Sequence, residues 1–190
     1  THNQNIVLAD VNKSNLFELW KKAKIGGFAT PNIDTLTDMI CCPGGDFCSL
    51  ANAKSIPIAE SIQRKFDDID YVYDLGNLSL NISGCMNACG HNHVGNIGIL
   101  GVDKKGAEFY QIQLGGSSGI DASLAKVLGP SFGESEVPGV IEKILDTYIQ
   151  QRKGDELFID TYRRIGPDPF KDSVYPKNIA ISDTRSKKGA

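Results

Sequence analysis

The chain lacks any apolar run long enough to cross a bilayer, so a membrane span is not expected. It also lacks an excess of positive charge: 20 Lys and Arg residues stand against 23 Asp and Glu residues, a net charge of −3. This balance argues against a basic nucleic-acid-binding surface and against a polybasic membrane patch. A signal peptide is not recognisable, and Thr1 is not a methionine, so we expect a piece of a longer, cytoplasmic protein.

What the chain does have is ordinary globular composition and a tight group of cysteines. Its 190 residues, 41% of them hydrophobic, are enough to bury a core without disulfide bonds. All five cysteines lie between positions 41 and 89. A disulfide scaffold spreads an even number of cysteines through a short secreted chain, whereas an odd, clustered set favours a metal site or a reactive thiol. The cysteines therefore also favour a reducing, cytoplasmic location.

The hydrophobic pattern predicts an α+β fold in which helices cover a mixed or antiparallel sheet. Strands are predicted at 5–11, 78–83, 96–103 and 107–114, and helices at 14–24, from about 135 to 153, and at 156–165. Ser14 is expected to cap the first helix, and Asp46 to cap a helix whose first turn contains Cys48. The segment 179–190 is expected to be a flexible tail.

The spacing of four cysteines points to a metal centre. Five residues separate Cys42 from Cys48, and three separate Cys85 from Cys89. Four thiolates of this kind suit a [4Fe–4S] cluster or a tetrahedral zinc ion. The wide, glycine-containing gap in the first pair favours the bulkier cluster, although zinc and the absence of any metal both remain open. Neither pair has the two-residue spacing of a haem attachment site or a thioredoxin-like pair.

Three further residues near these pairs have open roles. Adjacent residues on extended backbone point to opposite faces, so only one of Cys41 and Cys42 can enter a common site. Cys41 is therefore predicted to be a small buried thiol. His91 and His93 follow the second pair and are either metal or substrate ligands or turn residues, and we favour the turn.

Two segments, 41–60 and 81–119, closely resemble the sirohaem-dependent nitrite and sulfite reductases. The family combines a C-x5-C pair with a later C-x-N-x-C motif, and this chain has Cys42 with Cys48 and the run Cys85-Met86-Asn87-Ala88-Cys89. The likeness runs from about residue 1 to 175. It implies a nitrite/sulfite reductase 4Fe-4S domain at 39–178, preceded at 1–38 by the end of a ferredoxin-like half-domain.

The resemblance also implies a site and a reaction. Cys42, Cys48, Cys85 and Cys89 would hold a [4Fe–4S] cluster, and Cys89 would be the catalytic cysteine that also binds the sirohaem iron. Asn87 would help to seat the sirohaem. The reaction would be the six-electron reduction of sulfite to sulfide or of nitrite to ammonia, with ferredoxin or a flavoprotein as electron donor. A cluster-only electron-transfer module and a zinc-stabilised structural domain are the alternatives.

The chain departs from that family in two connected ways. Family members are much longer, and their N-terminal half supplies basic residues around the substrate and the tetrapyrrole. Here no Lys or Arg lies between Lys24 and Lys54 or between Lys65 and Lys104. Both cysteine pairs lie in these stretches, so the N-terminal half of a parent enzyme is an expected partner. The sequence leaves open the choice between sulfite and nitrite.

Overall fold

A five-stranded mixed sheet forms the centre of the fold in a computed structural model that describes residues 1–176. Its strands are β1 (Ile40–Cys41), β2 (Leu80–Ser83), β3 (Ile97–Lys104), β4 (Ala107–Leu114) and β5 (Lys126–Val127), and they lie side by side in chain order. The pairings of β1 with β2 and of β2 with β3 are parallel, whereas the remaining two are antiparallel. The predicted α+β fold with a mixed sheet is confirmed.

Seven α-helices accompany the sheet in the described part of the chain. They are α1 (Leu16–Ile25), α2 (Gly44–Phe47), α3 (Ile56–Lys65), α4 (Ile69–Asp74), α5 (Val137–Gln151), α6 (Phe158–Ile165) and α7 (Asp168–Val174). Short 3-10 turns occur at Lys13–Asn15, Asn92–Val94 and Glu134–Glu136. None of the helices within residues 1–176 has both the length and the apolar character that a bilayer crossing requires.

The hydrophobic core lies between the helices and one face of the sheet. Along α5, the stripe expected from the sequence is buried, and its members are Val137, Val140, Ile141, Ile144, Leu145 and Tyr148. The ring of Tyr148 meets that of Phe158 edge-on at 5.4 Å, and Phe158 lies 5.7 Å from Phe170. Aromatic contacts of this kind tie α6 and α7 to α5.

Both faces of β2 are buried, but they serve different purposes. Leu80 and Ile82 belong to the hydrophobic core. Side chains alternate along a strand, so Asn81 and Ser83 point to the opposite face, and both are almost fully buried. Buried polar side chains need hydrogen-bond partners. Those partners lie in the segment that follows β2. The polar face of β2 therefore fixes the position of that segment.

The strand predicted at 5–11 is wrong. The backbone there is irregular, and Ile6, Val7 and Leu8 are exposed by 72, 72 and 58%. A strand needs a neighbour, and the outer edge of β1 is already occupied by a side chain. The side-chain Nε2 of Gln4 donates to the Cys41 carbonyl at 2.8 Å, and its Oε1 accepts from the Cys41 backbone amide at 2.9 Å.

Several local predictions also need correction. Asn12, not Ser14, provides the side-chain cap at the start of the first helical segment, and its carboxamide accepts from the Ser14 amide. The helices α4 and α7 and the two-residue strands β1 and β5 were not expected, because such short elements carry little periodicity. The boundary at residue 38 stays a prediction. The tail at 179–190 lies outside the described residues.

Glu156 offers a pH-dependent test of how α5 is joined to α6. Its carboxylate accepts from Arg164 Nε at 2.7 Å and from the Lys153 amide at 3.0 Å. The bond from Arg164 is the main reason that the Glu156 pKa falls to about 2. A carboxyl group whose pKa is lower in the folded than in the unfolded protein stabilises the folded state at pH values above its unfolded pKa. This stabilisation is lost as the pH falls towards 2.

We therefore expect Glu156→Gln to be less stable than the wild type at pH 6, with the difference shrinking between about pH 4.5 and pH 2. Urea unfolding at several pH values measures it. Glu18→Gln, which removes one member of an exposed pair with Lys21, is the control and should change stability little. A Glu156→Gln deficit that stayed constant down to pH 2 would contradict the assignment.

Candidate functional site

The two cysteine-bearing loops follow the C-terminal ends of two neighbouring strands, β1 and β2. Since β1 and β2 are parallel, with Cys41 opposite Ile82, the loops that follow them begin side by side. The Cys42 amide donates to the Ile82 carbonyl at 3.0 Å. The Gly84 amide donates to the Cys42 sulfur at 3.1 Å. The first cysteine loop therefore lies directly against the beginning of the second.

The carbonyl group of Gly84 extends this contact to the far end of the first loop. It accepts hydrogen bonds from the amides of Asn52 at 2.9 Å and Ala53 at 3.0 Å. The approach is so close that a Cβ atom on Gly84 would lie 2.6 Å from the Ala53 carbonyl oxygen. Only glycine fits there, because any side chain would push the two loops apart.

Cys48 lies at the end of α2 rather than in its first turn. Its backbone is extended and its amide donates to the Gly44 carbonyl at 2.9 Å, so it ends the helix. Asp46 lies inside this one-turn helix, and its carboxylate lies 3.4 Å from the Lys54 ammonium group. The predicted capping role of Asp46 is therefore wrong, because the Pro-Gly-Gly turn itself begins the helix.

Two residues on β4 hold the end of the first loop against the sheet. The Glu108 carboxylate accepts from the Lys54 amide at 2.9 Å, and the Tyr110 hydroxyl donates to the Lys54 carbonyl at 2.9 Å. Burial, followed by the charge of Glu108, raises the pKa of Tyr110, so its hydroxyl remains a donor. Sequence reasoning missed both residues, which lie more than fifty positions from Lys54 and carry no local signal.

The polar face of β2 holds the second cysteine loop through side-chain hydrogen bonds. The Ser83 hydroxyl accepts from the Gly90 amide at 3.0 Å, and the Asn81 amide group donates to the His91 carbonyl at 3.0 Å. These two residues were also missed, although their alternation with Leu80 and Ile82 in the sequence was a usable signal. They fix the chain immediately after Cys89.

His91 and His93 are held mainly through their backbones, and the His93 ring nitrogen Nδ1 also lies 3.4 Å from the Asn92 side-chain nitrogen. The backbone of His91 is left-handed, with φ of 55°, and its amide donates to the Ala88 carbonyl at 2.8 Å. The His93 carbonyl accepts from the Ala125 amide at 2.7 Å. Both side chains are exposed. These contacts agree with the turn interpretation.

The four predicted ligands differ in exposure. Cys42 and Cys85 are buried, at 7 and 8% exposure, Cys48 is half-buried, and Cys89 is exposed. Asn87 is exposed as well. Within residues 1–176, no three His, Cys, Asp or Glu side chains lie close enough together to hold a metal ion. Convergence of all four sulfur atoms therefore stays a prediction.

The chemistry of the site fits a thiolate-bound cluster. The four predicted ligands are all cysteines, the residue type that holds a [4Fe–4S] cluster. The Cys42 sulfur already receives the Gly84 N–H group, and donors of this kind stabilise bound thiolates.

Cys41 faces away from this arrangement. It packs against the hydrophobic core, and its thiol donates to the Cys42 carbonyl at 3.3 Å. Burial raises the pKa of Cys41 to about 12, with a smaller contribution from Cys42. Cys41 packs against the core as expected from the sequence, but it is half-buried rather than buried.

The sequence of the chain matches one described protein family. The nitrite and sulphite reductase 4Fe-4S domain matches residues 32–179. The chain is 24% identical over 181 residues to the assimilatory ferredoxin-dependent nitrite reductase of Haloferax mediterranei, covering 93% of the chain and 31% of that protein. It is 25% identical over 178 residues to sulfite reductase [ferredoxin] 2 of Mycolicibacterium paratuberculosis, covering 88% and 32%.

A solved structure supports the same fold. The NirA protein of Mycobacterium tuberculosis superposes with a TM-score of 0.71 at 23% identity, over 85% of this chain and 31% of that one. The chain thus spans only about a third of the length of these relatives.

Gly84→Ala tests whether the two loops depend on the glycine. We expect a loss of about 1–3 kcal/mol in the free energy of unfolding, because the added methyl group meets the Ala53 carbonyl. Gly139→Ala is the matched control: a Cβ atom there meets nothing within 4 Å, and alanine favours the helix. Denaturant unfolding of both variants measures the effect. Equal stability of Gly84→Ala and the wild type would contradict this account of the contact.

Proposed function

Because the chain belongs to the nitrite and sulphite reductase 4Fe-4S domain family, we propose that it is the cluster- and sirohaem-carrying part of a longer reductase. That enzyme would reduce sulfite to sulfide or nitrite to ammonia by six electrons. The observation that carries the proposal is the contact of the Cys42–Cys48 loop with the loop of Cys85 and Cys89 through the backbone N–H and carbonyl groups of Gly84.

Each of the four cysteines has a proposed place. Cys42 and Cys85, which are buried, would hold the inner side of a [4Fe–4S] cluster, and Cys48 would hold it from the end of α2. Cys89 is exposed and would present its sulfur to both the cluster and the sirohaem iron. Bound in this way, the two cofactors would supply the electrons and the open iron that the reduction requires.

The surface beside the cysteines favours a partner that covers it. Phe47, Leu50 and Met86 are exposed by 79, 70 and 82%. Large apolar side chains exposed near a site are typical of an interface. We propose that the N-terminal half of the parent enzyme and the edge of the sirohaem cover these side chains, with Asn87 helping to seat the sirohaem.

That partner would also bring the charge that this chain lacks. Both cysteine loops lie in stretches without Lys or Arg, apart from Lys54 at the end of the first loop, which pairs with Asp46. Reduction of an oxyanion needs fixed positive groups and proton donors near the departing oxygen. Arg and Lys residues of the N-terminal half would provide them, and ferredoxin or a flavoprotein would deliver electrons.

Anaerobic purification of the protein that carries this chain tests the proposal against its alternatives. Iron with acid-labile sulfide and a chlorin-like absorption band is the expected result. Iron and sulfide without that band would support a cluster-only electron-transfer module instead. Zinc without sulfide would support a structural domain, and either of these results would overturn the proposal.

Cys89→Ser in the full-length protein tests the bridging role. Because oxygen is a poorer ligand than thiolate for both irons, we expect turnover to fall below detection and both cofactors to be bound less tightly. Cys41→Ser is the control, since the Cys41 side chain packs against the core, and it should keep most of the iron and the activity. An active Cys89→Ser enzyme would exclude the bridge.

The isolated 190-residue chain should not reduce sulfite or nitrite at an enzymatic rate, even after reconstitution of its cluster. Removing one preorganised donor around a developing charge costs roughly 10²–10³ in rate, and several would be missing together. Methyl-viologen-driven assays of the reconstituted chain and of the full-length enzyme make the comparison. Similar turnover of the two would show that the N-terminal half is dispensable.

A further inference from the structure

Ser55 occupies a closed position between the two cysteine loops. It directly precedes α3 and is fully buried. A Cβ atom built on Gly84 would lie 3.0 Å from the Ser55 hydroxyl oxygen, and one built on Gly44 would lie 2.7 Å from it. The serine side chain therefore fills the space that these two glycines leave open.

The hydroxyl group of Ser55 does not cap helix α3. Serine before the first turn of a helix normally accepts a hydrogen bond from a helix amide. Ser55 makes no such bond, and its hydroxyl oxygen lies 3.4 Å from the Cys42 sulfur. A buried hydroxyl needs a partner, and in the described part of the chain that partner is sulfur.

The direction of this hydrogen bond follows from the charge of the sulfur. Between a neutral thiol and a hydroxyl, either atom can donate. A thiolate has no hydrogen, so once Cys42 binds iron the Ser55 hydroxyl must donate. The Gly84 amide donates to the same sulfur at 3.1 Å. Among the four proposed ligands, as far as the chain is described, Cys42 is the one whose sulfur accepts hydrogen bonds.

We propose that Ser55 is a positioning residue whose hydroxyl donates to the Cys42 thiolate and raises the reduction potential of the cluster. This inference rests on the proposed function. Adding an electron makes the cluster and its thiolates more negative, so a donor to sulfur stabilises the reduced form more than the oxidised form. The Gly84 donor belongs to the backbone, whereas the Ser55 donor is set by a side chain and is open to substitution.

The experiment is a redox titration of the cluster in the full-length protein, with dithionite as reductant and electron paramagnetic resonance as readout. For Ser55→Ala we expect the ratio of reduced to oxidised cluster at a fixed potential to fall about tenfold. For a one-electron couple this is a shift of about 59 mV to lower potential. The matched control is Ser61→Ala on α3, whose hydroxyl donates to the Ile58 carbonyl. That variant should keep the wild-type potential.

A pair of variants of equal shape guards against a folding defect in Ser55→Ala. Ser55→Thr keeps the hydroxyl and Ser55→Val replaces it with a methyl group, so the two differ in the donor alone. We expect the threonine variant to have the higher potential. Equal potentials in these two variants, with the cluster fully bound, would overturn the role of Ser55 and leave the proposed function intact. A wild-type protein without iron and sulfide would overturn both.

Discussion

The proposed site depends on the backbone of one residue, Gly84. Its N–H donates to the Cys42 sulfur, and its carbonyl accepts from Asn52 and Ala53 at the other end of the same loop. The parallel pairing of β1 with β2 brings Gly84 to the first loop. Because the two peptide groups on either side of one residue make all three bonds, a movement of the second loop at Gly84 changes the environment of Cys42. The first cysteine loop and the start of the second are thus joined by direct hydrogen bonds.

The sequence predicts the long elements well and the site geometry poorly, for a physical reason. The stripe along α5 and the hairpin of β3 and β4 repeat over many residues, so their periodicity identifies them. By contrast, β1 has two residues and α2 has four. These short elements exist because tertiary contacts hold them, and they place Cys42 and Cys48. The cysteine spacing in the sequence predicts the two ligand pairs. The contacts of Ser55, Glu108 and Tyr110 join distant parts of the chain, so the sequence alone does not reveal them.

In the N-terminal region, the predicted helix forms without burying its apolar face against any of the described residues. No residue of α1 is buried, and Phe17 and Trp20 stack on each other while exposed by 63 and 47%. An apolar helical face normally packs against a core, so this face favours a partner outside the described residues. The chain spans about a third of its relatives' length. On the proposed assignment, this face and the apolar side chains beside the cysteines would be covered by the rest of the enzyme.

The charge distribution gives the hydrogen bonds at Cys42 their importance. A net charge of −3, with no basic residue between Lys24 and Lys54 or between Lys65 and Lys104, provides little positive potential near the proposed cluster. On the proposed assignment, an electron added to the cluster would be stabilised inside this chain mainly by dipoles. The Gly84 amide and the Ser55 hydroxyl are buried dipoles aimed at one sulfur, and burial strengthens them because water does not compete. Since the exposed Cys89 has no such donors among the described residues, stabilising charge on its side would come from the proposed partner. The buried side of the site would then set the potential, and the exposed side would be completed on assembly.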